Sequence, residues 1–292
     1  MDIAFHIGAH CTDDDRLLKT LLRNRDDLKS HGIAVPGPSM YRSVLREVAT
    51  KLRGDEASQE TQDVVLETIL EGDDPDRLIL INQSFLCMPQ VAVEGGQLYP
   101  KAAKAAWLRN LFPDHRAAFF LGLRNPATFV PALFAETGGD TLDFPAFLGG
   151  TDPRALRWSE MIARLRQAVP DAPLTVWCNE DTPFLWEKLV RAIAAAPATV
   201  PIHGEYDMLR TIMSQEGMSR LRAYLRAHPP RDEEMRQRIV AAFLDKFALD
   251  DEVEQEMDLP GWNSDLVEDL TEIYDEDLFA IARMPGVHVL TP

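Results

Sequence analysis

The stretch Ile3-Ala4-Phe5-His6-Ile7-Gly8-Ala9-His10-Cys11-Thr12-Asp13-Asp14-Asp15 opens the chain. It is a short apolar run that halts at a glycine and passes into polar residues. Beyond it, Leu17, Leu18, Leu21, Leu22 and Leu28 recur at helical spacing as far as Ser30-His31-Gly32. Strand, glycine loop and amphipathic helix in that order are the first unit of an α/β domain. The loop between them is the usual place for a phosphate, since exposed N–H groups and the helix dipole both favour an anion there.

Working outward, Ile33-Ala34-Val35-Pro36-Gly37-Pro38 closes this unit in extended, turn-rich chain, and residues 41–71 read as one or two helices broken near Gly54. Leu78-Ile79-Leu80-Ile81 is a continuous apolar run of the kind a buried parallel strand shows. Helical spacing returns over 99–111, a strand is predicted over Ala117 to Leu123, a helix opens at Arg124-Asn125-Pro126, and 154–169 and Leu174 to Cys178 read as helix and strand. The alternation predicts an α/β fold with a parallel sheet covered by helices. After about residue 182 the pattern is helix upon helix, with an acidic run from Asp250 to Asp258 read as a solvated connection. One domain spans 1–292, with an α/β core over 1–181 and a helical C-terminal third over 182–292 as a cap or extension.

The 292 residues are ample to bury a core. Thirty basic residues against 47 acidic leave a net charge of -17, which disfavours nucleic acid and anionic membrane, because phosphate contacts need clustered Lys and Arg. A small molecule or a protein is left as partner. Cys11, Cys87 and Cys178 form no CxxC pair and suggest neither a disulfide framework nor a zinc knuckle. The N-terminus has no basic region before its short apolar run, and no stretch approaches the ~20 apolar residues of a membrane span, so a cytoplasmic location is expected.

His6-Ile7-Gly8-Ala9-His10, then a helix, then Asn24-Arg25-Asp26-Asp27-Leu28 and Gly32-Ile33-Ala34-Val35-Pro36, resembles the start of bacterial sulfotransferase-family proteins. There a P-loop reading approximately H-I-G-x-x-K-T-G-T-T precedes a helix and an "NR..L…GI..P" segment. The resemblance implies a P-loop sulfotransferase-like fold, sulfuryl transfer from 3′-phosphoadenosine 5′-phosphosulfate (PAPS), and a loop lysine that with backbone amides holds the phosphosulfate. It also implies Gly8 and Thr12 as donor-loop residues. Here Cys11 stands where the lysine should be, Asp13 on the glycine, and Asp14 and Asp15 on the hydroxyl residues.

Those departures invert the electrostatics. A carboxylate at ~5 Å repels an anion by roughly 3 kcal/mol at an effective dielectric of ~20, whereas a helix end offers about 0.3–1 kcal/mol. Thr12 and Asp15 also fit the [ST]-x-x-[DE] start of a helix, which explains the same residues as structure alone. The family's 3′-phosphate site implies a role for Arg124 in Arg124-Asn125-Pro126, but Ala132 stands where its serine would be; pairing of Arg124 with a loop carboxylate is the preferred expectation. Its general base is implied near Asn82-Gln83-Ser84, which has no titratable group, so His6 and His10 are the remaining catalytic candidates. Glu180 and Asp181 lie just past a strand, where α/β sites gather, or cap the helix beginning near Thr182.

Diffuse resemblance continues through Leu98-Tyr99-Pro100, Leu156-Arg157-Trp158-Ser159 and Val176-Trp177-Cys178-Asn179-Glu180 to Tyr274-Asp275-Glu276-Asp277-Leu278. The expectation is a sulfotransferase-like protein without conventional PAPS-dependent activity, repurposed for binding or scaffolding, and without a cofactor. Two alternatives stay open: an active sulfotransferase using PAPS at an unorthodox site, and a metal-assisted enzyme built on His6, His10 and Asp13–Asp15.

Overall fold

A computed structural model describes residues 1–138, 143–249, 252 and 259–292. Its centre is a six-stranded sheet of β1 (Asp2–His6), β2 (Ile33–Ala34), β3 (Arg77–Ile81), β6 (Arg116–Leu123), β7 (Leu174–Cys178) and β8 (Val287–Val289), in the order β2-β3-β1-β6-β7-β8. Every pairing in it is parallel. A separate antiparallel pair is formed by β4 (Val93–Glu94) and β5 (Gln97–Leu98).

The inner strands are apolar on both faces because both are covered. Ile3, Phe5 and Ile7 face one core; Ala4 faces the other. Against the first lie α3 (Pro38–Leu52), α4 (Gln59–Leu70), α5 (Ala105–Arg109), α6 (Pro126–Glu136), α7 (Phe144–Leu148) and α8 (Trp158–Ala168). Against the second lie α1 (Arg16–Arg23), α2 (Arg25–Lys29) and α9 (Thr182–Ala194). This confirms the expected α/β fold with a helix-covered parallel sheet.

The C-terminal third is mainly helical, as its periodicity predicts. There α10 (Leu209–Ile212), α11 (Gln215–Ala227) and α12 (Glu233–Phe247) enclose a small core of their own around Leu209, Met213, Met218, Leu221 and Val240. The last helix, α13 (Ser264–Ile281), returns to the first core through Leu266, Leu270 and Tyr274. β8 then joins the sheet beside β7, a strand the sequence reading does not contain. The predicted acidic connection from Asp250 to Asp258 lies outside the described residues apart from Glu252. No described helix is long and apolar enough to cross a membrane.

The chain runs from β1 out to β2, back to β3, and then across to β6 on the other side of β1. Strand order therefore reverses beside β1, and the crevice beyond the carboxyl ends of β1 and its neighbours is where such sheets bind ligands. The loop after β1 sits at that point. Pairing continues into it: Ile7 N–H donates to Phe120 O at 3.0 Å, Ala9 N–H to Gly122 O at 3.1 Å, and Gly122 N–H to Gly8 O at 2.9 Å.

Candidate functional site

The loop from Gly8 to Asp15 is shaped by four residues with positive φ: Gly8 at 118°, Cys11 at 54°, Asp14 at 50° and Asp15 at 58°. Gly8 is in a region where side chains are strained; Asp tolerates the left-handed well better than most residues. Asp13, set against a glycine by the sequence resemblance, is not among the positive-φ residues. Left-handed backbone falls instead on its neighbours.

Asp13 is the anchor of the loop. Its Oδ2 accepts the Leu17 N–H at 2.8 Å, and its backbone carbonyl accepts Arg16 N–H at 2.8 Å. The expected Thr12–Asp15 capping pair is not what forms. Thr12 Oγ1 donates back to Ala9 O at 2.9 Å, and Asp15 occupies the N-cap of α1 in the left-handed conformation with no side-chain cap bond. All three aspartates precede α1, whose first turn holds no acid. A protein carboxylate thus takes the helix-start amide that an anionic ligand would use.

The other aspartates pair with arginines. Asp15 meets Arg42 of α3 at 3.1 Å, and Asp14 meets Arg16 at 4.0 Å. Arg42 also donates to Ile81 O at the end of β3, as does Tyr41 through its hydroxyl at 2.7 Å. Arg124, expected to pair with a loop acid, is held at the loop by hydrogen bonds. Its Nη1 donates to the carbonyl of Cys11 and its Nε to Thr128 Oγ1 at 3.0 Å. Arg124 therefore reaches the loop through the Cys11 backbone, with Asp14 and Glu180 acting on its charge.

The two histidines part company. His10 is fully buried; its N–H donates to Tyr99 Oη at 2.8 Å, and its Nδ1 lies 2.7 Å from the same oxygen. In the tautomer where the phenol O–H donates to Nδ1, Nε2 carries the ring proton and faces Ser84 Oγ at 3.4 Å. His6 points to the opposite face of the sheet. Its ring stacks on Trp177, centroids 5.7 Å apart, and neither nitrogen meets a hydrogen-bond partner among the described residues. Gly122 makes this stack accessible: the indole lies over it, and a Cβ there would come within 3.2 Å of the ring.

His6, His10 and Asp13 are therefore committed to three different neighbourhoods, and the described residues contain no group of three or more His, Cys, Asp or Glu placed to hold a metal ion. Cys11 Sγ donates to Glu136 Oε2 at 2.8 Å; burial first, then this carboxylate, holds its thiol well above the usual range, the opposite of an activated nucleophile. Asn82 and Ser84 make a local turn, with Ser84 N–H donating to Asn82 Oδ1 at 3.1 Å.

Glu180 does not cap the helix that follows it. It caps α6: Oε1 accepts Asn125 N–H at 2.8 Å, while Oε2 takes the Tyr274 hydroxyl of α13 at 3.3 Å. Burial pushes its carboxyl up, partly offset by those donors and by Arg124. Asp181 stands at the N-cap of α9 without a side-chain cap bond. Tyr99, Arg42 and Tyr274 are residues that reasoning from spacing missed, since each acts across a long sequence separation.

One half-buried group, Asp13, and one buried group, His6, make the site pH-sensitive in opposite senses. Burial, reinforced by Asp15 and Asp14 and opposed by the Leu17 amide, raises Asp13 from 3.8 to about 6. Between those values the folded chain keeps a proton that the unfolded chain has released, so this group adds stability as pH falls. Burial lowers His6 from 6.5 to about 4, against the pull of Asp15. There the unfolded chain binds the proton, and stability is lost as pH falls. Urea unfolding should separate the two. From pH 7 to pH 5, Asp13→Asn is expected to lose ground relative to wild type, and His6→Phe to gain it; differences that do not move with pH would refute this assignment.

No protein-family model matches the chain, and no curated protein sequence does. Among solved structures it is similar to the crystal structure of a sulfotransferase from Alicyclobacillus acidocaldarius, at 12% identity and a TM-score of 0.40, over 82% of this chain and 97% of that one. A likeness of that strength fixes neither family nor activity.

Proposed function

We propose that this chain is a sulfotransferase-like protein that does not use PAPS in the conventional way and serves as a binding or scaffold module. The family reading rests on the sequence resemblance around His6-Ile7-Gly8 and Arg124-Asn125-Pro126, together with a glycine loop at the reversal point of a parallel sheet. The observation that carries the functional reading is the 2.8 Å bond from Leu17 N–H to the Asp13 carboxylate. An internal anion satisfies the amide a phosphosulfate would need. Two more carboxylates lie on the following residues, and Cys11 supplies no charge in place of lysine.

The residues present do not fit the donor. Displacing Asp13 from Leu17 would leave a partly buried carboxylate without that donor, beside an incoming anion that it repels by about 3 kcal/mol at ~5 Å. Hydrogen bonds to charged groups contribute roughly 1.5–3 kcal/mol, so the exchange is unfavourable on both counts. Arg124 favours the opposing view, an active transferase with an unorthodox site, because it lies between the loop and α6.

Calorimetric titration with PAPS and with adenosine 3′,5′-bisphosphate at moderate salt decides between them. No measurable heat up to millimolar nucleotide is expected. Micromolar affinity for either compound would sink the proposal.

A further inference from the structure

A second feature stands apart from the β1 loop and shares no residue with it. Helices α11 and α12 leave between them a groove of about 430 Å³, lined by Arg220, Ala223, Tyr224, Ala242, Phe243 and Lys246, with Phe247 completing it. That volume is in the range of small-molecule sites, roughly 300–1,000 Å³. Ala223 and Ala242 keep it open where larger side chains would close it. The aromatic wall is continuous: Tyr224 to Phe243 is 5.8 Å between centroids and Phe243 to Phe247 is 6.0 Å. Tyr224 is 41% exposed, with the His228 ring stacked on it at 4.6 Å between centroids.

The charge at the groove runs against that of the chain. The guanidinium of Arg220 lies 5.5 Å and the ammonium of Lys246 5.7 Å from the centroid of the same Phe247 ring. Arg220 is steadied by Glu216 at 2.6 Å, and Lys246 makes no ion pair among the described residues. Residues 215–247 carry seven Arg or Lys against five Asp or Glu, in a protein of net charge -17. A planar apolar body would stack on the rings, and a single negative charge at its edge would meet Lys246, beside the Glu216-paired Arg220.

We propose that the α11–α12 groove binds a small aromatic monoanion, a planar hydrocarbon body bearing one carboxylate or equivalent group. The proposal goes beyond the reading of the β1 loop and is independent of it. A neutral planar molecule fills the same rings but leaves Lys246 unmet, and a cationic one is repelled by it.

Calorimetric titration of the full chain with 2-naphthoate and with neutral 2-naphthamide tests this. Naphthoate is expected to bind about tenfold more tightly than the amide, the gain of one charge-assisted contact. Lys246→Gln should erase that preference and leave amide binding in place, and Ala242→Phe should fill the groove and remove both. Thermal melting of each variant confirms that it is folded. Equal affinity for the two compounds, retention of binding in Ala242→Phe, or no binding at millimolar ligand overturns the proposal. So does a concentration-dependent dimer that Ala242→Phe disperses, because the groove would then be a contact between copies of this chain.

Discussion

Replacing Cys11 by lysine and Asp13 by glycine in one chain is expected to raise affinity for adenosine 3′,5′-bisphosphate by about a hundredfold or more. Removing one carboxylate at ~5 Å lifts about 3 kcal/mol of repulsion at an effective dielectric of ~20, and a lysine at similar range supplies an attraction of like size. Solvent screening at a partly exposed loop cuts that sum, and half of it still amounts to about two decades in Kd. The glycine also frees the Leu17 amide that Asp13 Oδ2 now holds at 2.8 Å. Loss of that cap should cost about 1 kcal/mol of stability, visible as a lower melting temperature.

Asp13→Asn is the control that divides the effect. It keeps an acceptor for Leu17 and removes only the charge, so it should recover part of the affinity and little of the amide. If the double variant folds and binds no better than wild type, the loop is not a degenerate donor loop. The closure would then lie in contacts that the two substitutions leave intact, such as Arg124 on the Cys11 carbonyl and Tyr99 on His10.

The parts of the fold that could be read from sequence are those whose signal is local. β3, β6 and β7 are continuous apolar runs because both sheet faces are covered, and Gly8 marks the end of β1 because the turn there needs a φ of 118°. β8 is three residues, Val287-His288-Val289, with a histidine in the middle; nothing in so short a segment separates an edge strand from loop. The helical third hid it.

The site divides the same way. Its position followed from one glycine and one helix. The identity of its cap did not, because Thr12-x-x-Asp15 satisfies the capping pattern as well as Asp13 does, and only the left-handed turn at Asp14 and Asp15 selects Asp13. The partner of the acids also escaped: Arg42 is 27 residues from Asp15, and its place is set by how α3 packs beside the end of β3. Arg124 is marked by its motif, but a motif does not say that its guanidinium will reach the Cys11 carbonyl across the loop.

Tyr99→Phe should be among the most destabilising substitutions available that removes no carbon. The phenol oxygen serves two buried groups of one residue, the His10 N–H at 2.8 Å and the His10 Nδ1 at 2.7 Å. Tyr99 itself is fully buried, stacked between His10, Phe129 and Trp158, so water does not readily replace the lost oxygen. Leaving a buried polar group unsatisfied costs about 1–3 kcal/mol, and here two are left, for a loss of roughly 2–6 kcal/mol. Urea unfolding should show a lower midpoint with an unchanged slope. His10→Leu in the Tyr99→Phe background removes the orphaned imidazole but not the orphaned amide, so the double variant should be less unstable than the two single losses combined, with a coupling of about 1–3 kcal/mol. A Tyr99→Phe chain within about 0.5 kcal/mol of wild type would mean that this oxygen does not hold the loop. The result bears on chemistry as well as stability. A histidine whose Nδ1 is occupied by a phenol and whose Nε2 faces Ser84 is a strut beneath the β1 loop, and its lowered proton affinity, caused first by burial, follows from that same enclosure.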